Sequence, residues 1–341
     1  MGYPWDLGKP GQRWSKRGIT QASTAGPIWC CVVAVVEQSW RVTVFQICRS
    51  LMTMETNTLE ITYRGQPLQL EFFMRPGREE TILYLHGLGC SKNDFGGATS
   101  THELRDYTVV AFDFPGCGNS SYPGDMALEI DDLVEITNLF VTRQSLGDLV
   151  VTGHSMGGLV ALLYTQKHGE HVKGFINVEG NLAPEDCIIS REIARYSFEE
   201  FREVGFRNFK RTLSRLKNKG FQRYLETLER YSSPKAFFDY CPSLVEYSDN
   251  GNVLQRFFEL EIPKIFVYGS ENTSRSYIPQ LNNMGCEAVG ISSSNHFPFY
   301  DNPQGFYEVI SNFLHRECVA ITERGGENER GLQRRMKDEI S

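Results

Sequence analysis

The chain has 341 residues, with 35 Lys+Arg against 42 Asp+Glu and a formal net charge of −7. Hydrophobic residues make up 40% and charged residues 23%, an ordinary globular composition, and the length suits one large α/β domain with an insertion or two small domains. The acidic balance argues against nucleic acid as a partner, since its binders carry a basic field to neutralise phosphates. The nine cysteines are irregularly spaced, with no CxxC and no Cys/His ligand pair. They suit reduced thiols in a cytoplasmic protein, and no metal or organic cofactor is implied.

Residues 1–53 carry Arg13, Lys16 and Arg17 ahead of a ten-residue apolar run at 27–36. A bilayer span needs about 20 apolar residues, so no transmembrane segment is expected. Glu37-Gln38-Ser39-Trp40 offers no small-residue cleavage site. The segment reads as a poorly ordered leader, with an N-terminal export signal as the alternative and initiation at Met52 or Met54 open. Segments 58–63 and 68–74, flanking Arg64-Gly65, predict a hairpin. Four continuous apolar runs follow at 81–85, 108–113, 149–152 and 175–178, the pattern of strands buried on both faces of a parallel sheet. Helices are expected between them at 93–105, 127–145 and 156–169. Beyond Asn181 the rhythm stops for about 80 residues of helix and loop, then resumes with strands at 264–268 and 287–291 and a helix at 303–315. The organisation expected is an α/β core at 54–181 and 263–318, an inserted helical cap at 182–262 and a solvated tail at 319–341.

The chemistry gathers at strand ends. The run 149–152 leads directly into Gly153-His154-Ser155-Met156-Gly157-Gly158 and a helix, so G-x-S-x-G stands in its strand–turn–helix context. Ser155 must occupy a tight turn, with Gly at 153 and 157 because side chains there would strike the neighbouring helix and strand. The helix N-terminus favours negative charge beside the serine. His86-Gly87-Leu88-Gly89 ends the first parallel strand, where the N–H of Leu88, together with that of Met156, can hold an oxyanion. The Gly/Pro turn at 113–120 reads as scaffold.

Taken together, HGLG at 86–89, DFPGCGNS at 113–120, GHSMGG at 153–158 and NHFPFYDNP at 295–303 resemble an α/β-hydrolase fold enzyme of the serine esterase/lipase type, over about residues 57–316. The resemblance implies a mostly parallel central sheet flanked by helices, and it implies His296, in the loop before the last helix, as general base to Ser155. His86 reads as structural and His154 as a packing residue. For the acid, the family most often has Asp after the strand preceding the last, where this chain has Gly269-Ser270-Glu271-Asn272. Some members carry it one strand earlier, which here is Glu179. Glu179 is the acid expected, with Glu271 as alternative and Asp301 or water behind them.

Ten aromatic residues lie between 198 and 240. They suit either an apolar acyl pocket or the cap's own core. Between Arg191 and Lys235 stand 12 Lys/Arg and 6 Asp/Glu, a local excess that fits an anionic substrate, a membrane surface or a solvated helix face. The function expected is hydrolysis of a small-molecule carboxylic ester, with an apolar acyl or aromatic part, through an acyl-enzyme. The alternatives are a thioester, lactone or C–C bond hydrolase using the same residues, or a weakly active binding protein of this fold, kept open by Asn272.

Overall fold

The computed structural model describes residues 55–124, 126–272 and 275–316; the expected leader, the candidate start sites and the tail lie outside them. Strands β1 (Thr56–Tyr63) and β2 (Gln66–Arg75) form the expected hairpin. Arg64 and Gly65 both have positive φ, +46° and +78°, as a two-residue turn matched to strand twist requires. Next come β3 (Glu79–Leu85), β4 (Tyr107–Phe112), helix α1 (Ile130–Arg143), β5 (Leu149–His154), α2 (Met156–His168) and β6 (Val172–Val178).

Helices α3 (Ile188–Ile193), α4 (Phe206–Leu213), α5 (Lys219–Tyr231), α6 (Pro234–Asn250) and α7 (Val253–Glu259) follow without a strand. The chain then returns through β7 (Lys264–Gly269), α8 (Ile278–Asn283), β8 (Glu287–Ile291), α9 (Pro298–Asp301) and α10 (residues 303–316).

The eight strands make one sheet in the order β1-β2-β4-β3-β5-β6-β7-β8. Pairs β1/β2 and β2/β4 are antiparallel and all others parallel. Register sets which side chains share a face. Tyr84, Thr152 and Ile176 lie in line, and on that face Tyr84 stacks on Phe95 while Gly174 receives Phe313 of α10. One residue out of step, Phe112 stacks on Phe140 of α1 and Phe175 meets Phe257 of α7 on the opposite face. Helix α2 is buried at every position from Met156 to Thr165, packed against both α1 and the sheet, which is why it carries no polar stripe there.

The helix expected at 93–105 does not form. The segment is two 3₁₀ stretches, Lys92–Thr99 and His102–Leu104. Gly96-Gly97 and the β-branched Thr99 and Thr101 disfavour an α-helix, and the start is held instead by Asp113. That carboxylate accepts from the Lys92 N–H at 2.7 Å and from Lys92 Nζ at 2.7 Å. Asp113 also accepts from the Asn119 N–H at 3.1 Å, and a Cβ on Gly118 would overlap it, so the 113–120 turn is scaffold as expected.

Candidate active site

Ser155 stands between β5 and α2 with φ +53° and ψ −122°, a conformation that a side chain rarely adopts. The turn is pinned on both sides. The Ser155 N–H donates to Val178 O at 3.0 Å, and its carbonyl accepts from the Gly158 N–H at 2.8 Å. A Cβ on Gly153 would lie 2.3 Å from Gly157 O in the helix, and one on Gly157 would lie 2.3 Å from Leu85 O in β3. Both glycines are therefore demanded by close approach, as the sequence predicts.

Ser155, His296, Leu88 and Gly87 line one cavity of about 560 Å³. Its wall is largely apolar, from Ile188, Ile189, Leu216, Phe221, Tyr224, Leu244 and Phe297, with Glu185, Glu271 and Arg275 also on it. Leu88 follows the strand end at His86-Gly87, and its carbonyl accepts from Tyr224 Oη of α5 at 2.9 Å. Met156 is the first residue of α2, so its N–H has no carbonyl one turn back to bond. A Cβ on Gly87 would lie 3.1 Å from the Ser155 Cβ, which measures how closely this backbone passes the serine.

His296 Nδ1 lies 3.1 Å from Glu179 Oε2. Glu179 caps β6 with φ +53° and is buried, while Glu271 is exposed, with its backbone N–H on Ser294 O at 2.9 Å. Of the three carboxylates weighed from sequence, only Glu179 reaches His296. Asp301 is used elsewhere: it accepts from the N–H groups of Gly220 and Asn295, at 2.8 and 2.9 Å, and from Asn218 Nδ2 at 3.1 Å. It thereby ties the start of α5 to the loop that carries His296.

Four groups besides His296 converge on Glu179 or its cation. The Gly269 N–H donates to Oε1 at 2.7 Å and Asn272 Nδ2 to Oε2 at 2.6 Å. Buried Arg275 sets its Nη1 against Oε2, a charge contact not aligned as a hydrogen bond, and its Nε donates to Asp186 Oδ1 at 2.7 Å. Burial would push the Glu179 carboxyl up, but Arg275 and then the His296 hydrogen bond outweigh it, and the carboxyl sits below its ordinary range. Sequence reasoning passed over Arg275 and Asp186. The only available signal was an arginine three residues past the Asn at the usual acid position.

His86 accepts from the Phe114 N–H at 2.9 Å on Nε2, which leaves the proton on Nδ1 to donate to Gly87 O at 2.8 Å. Burial lowers its pKa to about 4, so it stays neutral and shapes the loop as expected. His154 packs against His296 and Phe297, but it also places Nε2 at 2.9 Å from His296 O, so it holds backbone as well as filling space. Among the described residues no cluster of His, Cys, Asp and Glu has the arrangement of a metal site, and no helix is long and apolar enough to cross a membrane.

A family model described as the alpha/beta hydrolase fold matches residues 80–275, more than half of the chain. Mycoplasma pneumoniae "Putative esterase/lipase 1" is 26% identical over 275 residues, covering 72% of this chain and 96% of that protein. The pimeloyl-[acyl-carrier protein] methyl ester esterase of Aeromonas hydrophila is 26% identical over 259 residues, covering 70% and 97%. Among solved structures, a thermophilic esterase from Thermogutta terrifontis superposes with a TM-score of 0.64 at 17% identity, covering 76% of this chain and 99% of that one.

Proposed function

The chain belongs to the alpha/beta hydrolase family, and on that premise we propose that it is a serine hydrolase that cleaves a carboxylic ester through an acyl-enzyme. The observation that carries this reading is the Glu179–His296 contact at 3.1 Å, in a cavity shared with a strained, pinned Ser155. The relatives named as esterases support an ester as the bond attacked.

In the proposed sequence Ser155 Oγ attacks the carbonyl carbon as Nε2 of His296 takes its proton. Serine is a poor nucleophile at its free pKa, so this transfer is what makes the attack feasible. Glu179, held on Nδ1, keeps Nε2 free to accept and favours the imidazolium that forms. The N–H groups of Leu88 and Met156 receive the carbonyl oxygen as it becomes negative, each such donor being worth about 10²–10³ in rate. The imidazolium then protonates the leaving alkoxide, and water, activated by the same imidazole, releases the acid.

We read residues 182–262 as a cap over this site. Most of its aromatic rings fill its own core, where Phe201, Phe206, Phe209 and Phe237 pack together. Phe221 and Tyr224 turn instead to the cavity, where with Ile188, Ile189 and Leu244 they suit an apolar acyl or aromatic part. The five described cysteines are buried and unpaired, which supports a reducing compartment such as the cytoplasm.

Intact mass after incubation with a fluorophosphonate, run beside Ser155→Ala, tests the proposal. One adduct on the parent and none on the variant is expected. No adduct on well-folded parent protein would reject it in favour of a binding protein of the same fold.

A further inference from the structure

The stretch 204–225 holds seven Lys/Arg and no Asp/Glu, in a chain whose net charge is −7, so the remaining residues together carry −14. It comprises α4, the loop after it and the first half of α5. Burial divides α4 cleanly: Phe206, Phe209 and Leu213 face inward, while Arg207 and Arg211 stand one turn apart on the outside. Arg215, Lys217, Lys219 and Arg223, further along the same stretch, are exposed too, and Lys210 lies over the Phe206 ring. Among the described residues only Arg223 has a carboxylate partner, Glu226. A solvated helix face ordinarily mixes both signs; here six of the seven cations have no carboxylate partner among the described residues.

The same stretch borders the cavity. Leu216 and Phe221 line it and bracket the exposed Lys217 and Lys219. Val204, at the edge of the patch, is one of two large hydrophobic side chains exposed among the described residues, at 42%.

We propose that residues 204–225 are a docking surface for an anionic lipid surface, and that docking turns the mouth of the Ser155 cavity toward the lipid. The chemistry points to lipid rather than to an acidic protein. The side chains are long and flexible, and nothing in the patch fixes a register, whereas a bilayer presents diffuse negative charge that needs none. The −14 on the other residues is repelled by the same surface, so the charge asymmetry selects one orientation. The docking stands independently of the reaction; its use in feeding the cavity rests on the ester-hydrolase reading.

The test is co-sedimentation of the full chain, and of Ser155→Ala, with vesicles of phosphatidylcholine alone or with about 30 mol% phosphatidylserine. Both proteins are expected to bind the anionic vesicles about tenfold or more tightly, with the preference lost at about 0.5 M salt, where screening is nearly complete. The triple variant R215E/K217E/K219E is expected to lose vesicle binding while hydrolysing a short soluble ester at the parental rate. Equal binding to both vesicles, binding to neither, or binding that survives in the triple variant would overturn the proposal. Retention on immobilised polyglutamate without vesicle binding would overturn it too and assign the patch to an acidic protein. Ser155→Ala keeps the readings separable: vesicle binding by a parent that takes no fluorophosphonate sustains docking and rejects only the chemistry.

Discussion

Asn272 donates from Nδ2 to Glu179 Oε2 at 2.6 Å, so the amide at the usual acid position braces the carboxylate that stands one strand earlier. The two strand ends have divided the work. Strand β6 supplies the charge, and β7 supplies the Gly269 N–H and the Asn272 amide that orient it. Because an amide donor satisfies an ionised carboxylate but cannot replace it, the arrangement is directional. The asparagine, taken alone, argues against a working site; in contact with Glu179 it argues for one.

Glu179→Gln is expected to lower kcat by about 10²–10⁴-fold, the range over which loss of a base-orienting carboxylate acts. Glu271→Gln is expected to change it by less than about threefold, because that side chain is exposed and the carboxylate bonded to His296 is Glu179. Steady-state kinetics on one soluble ester compares the two. Equal and small losses would remove Glu179 from the mechanism.

Arg275→Met is expected to move the acid side of the kcat/KM profile to higher pH. Arg275 is the largest influence opposing burial at Glu179 and holds its pKa below the ordinary range. Without it burial raises that pKa, and the carboxylate is lost to protonation earlier as pH falls. The neighbouring charges are Asp186, which shares Arg275, and His296. Arg275→Lys keeps the cation and should keep the profile. A drop in rate with no movement of the acid limb in the Met variant would mean that Arg275 only fills space.

Much of the fold and of the candidate site was legible in the sequence, for identifiable reasons. Continuous apolar runs such as 149–152 and 175–178 became central strands because burial on both faces leaves no polar alternation to obscure them. Ser155 was legible because the glycines around it answer local backbone approaches, all within a few residues. Glu179 and His296 could be ranked only by their place after strands, and their contact spans 117 positions. Arg275 was not legible, because an arginine in a loop is ordinarily solvated and no local pattern reports a carboxylate 96 positions away. The helix expected at 93–105 failed for this reason only in part: its start is tethered by Asp113, 21 positions away, but Gly96-Gly97 within it was a local signal.

Gly157→Ala is expected to abolish fluorophosphonate labelling and to lower Tm by several degrees. The added Cβ would lie 2.3 Å from Leu85 O and 2.5 Å from His86 O, and backbone atoms of a central strand cannot yield as a flexible side chain can. Overpacking of this kind costs about 1–3 kcal/mol or more. The labelling loss follows because the displaced strand end carries His86-Gly87-Leu88. Gly124→Ala, where a Cβ meets nothing within 4 Å, is the control and should label normally. Normal labelling of Gly157→Ala would mean that the elbow is less constrained than its geometry implies.

Asp94→Asn is expected to stabilise the protein at pH 7.5 and to have little effect at pH 4. Burial raises the Asp94 pKa from 3.8 to about 6, against the lowering effect of the 2.7 Å hydrogen bond from Tyr300 Oη. Between those values the unfolded chain has released the proton that the folded chain still holds, so stability falls as pH rises through the window. Two units correspond to about 3 kcal/mol at most, a gain available to a neutral amide that can still accept from Tyr300 through its oxygen. The weaker 3.4 Å contact from the Ser91 N–H to Oδ2 is lost, which offsets part of it. Thermal denaturation of parent and variant at both pH values measures the difference. A stability gap that does not widen with pH would mean that Asp94 titrates near its unfolded value and that Tyr300 and its neighbours fully offset its burial.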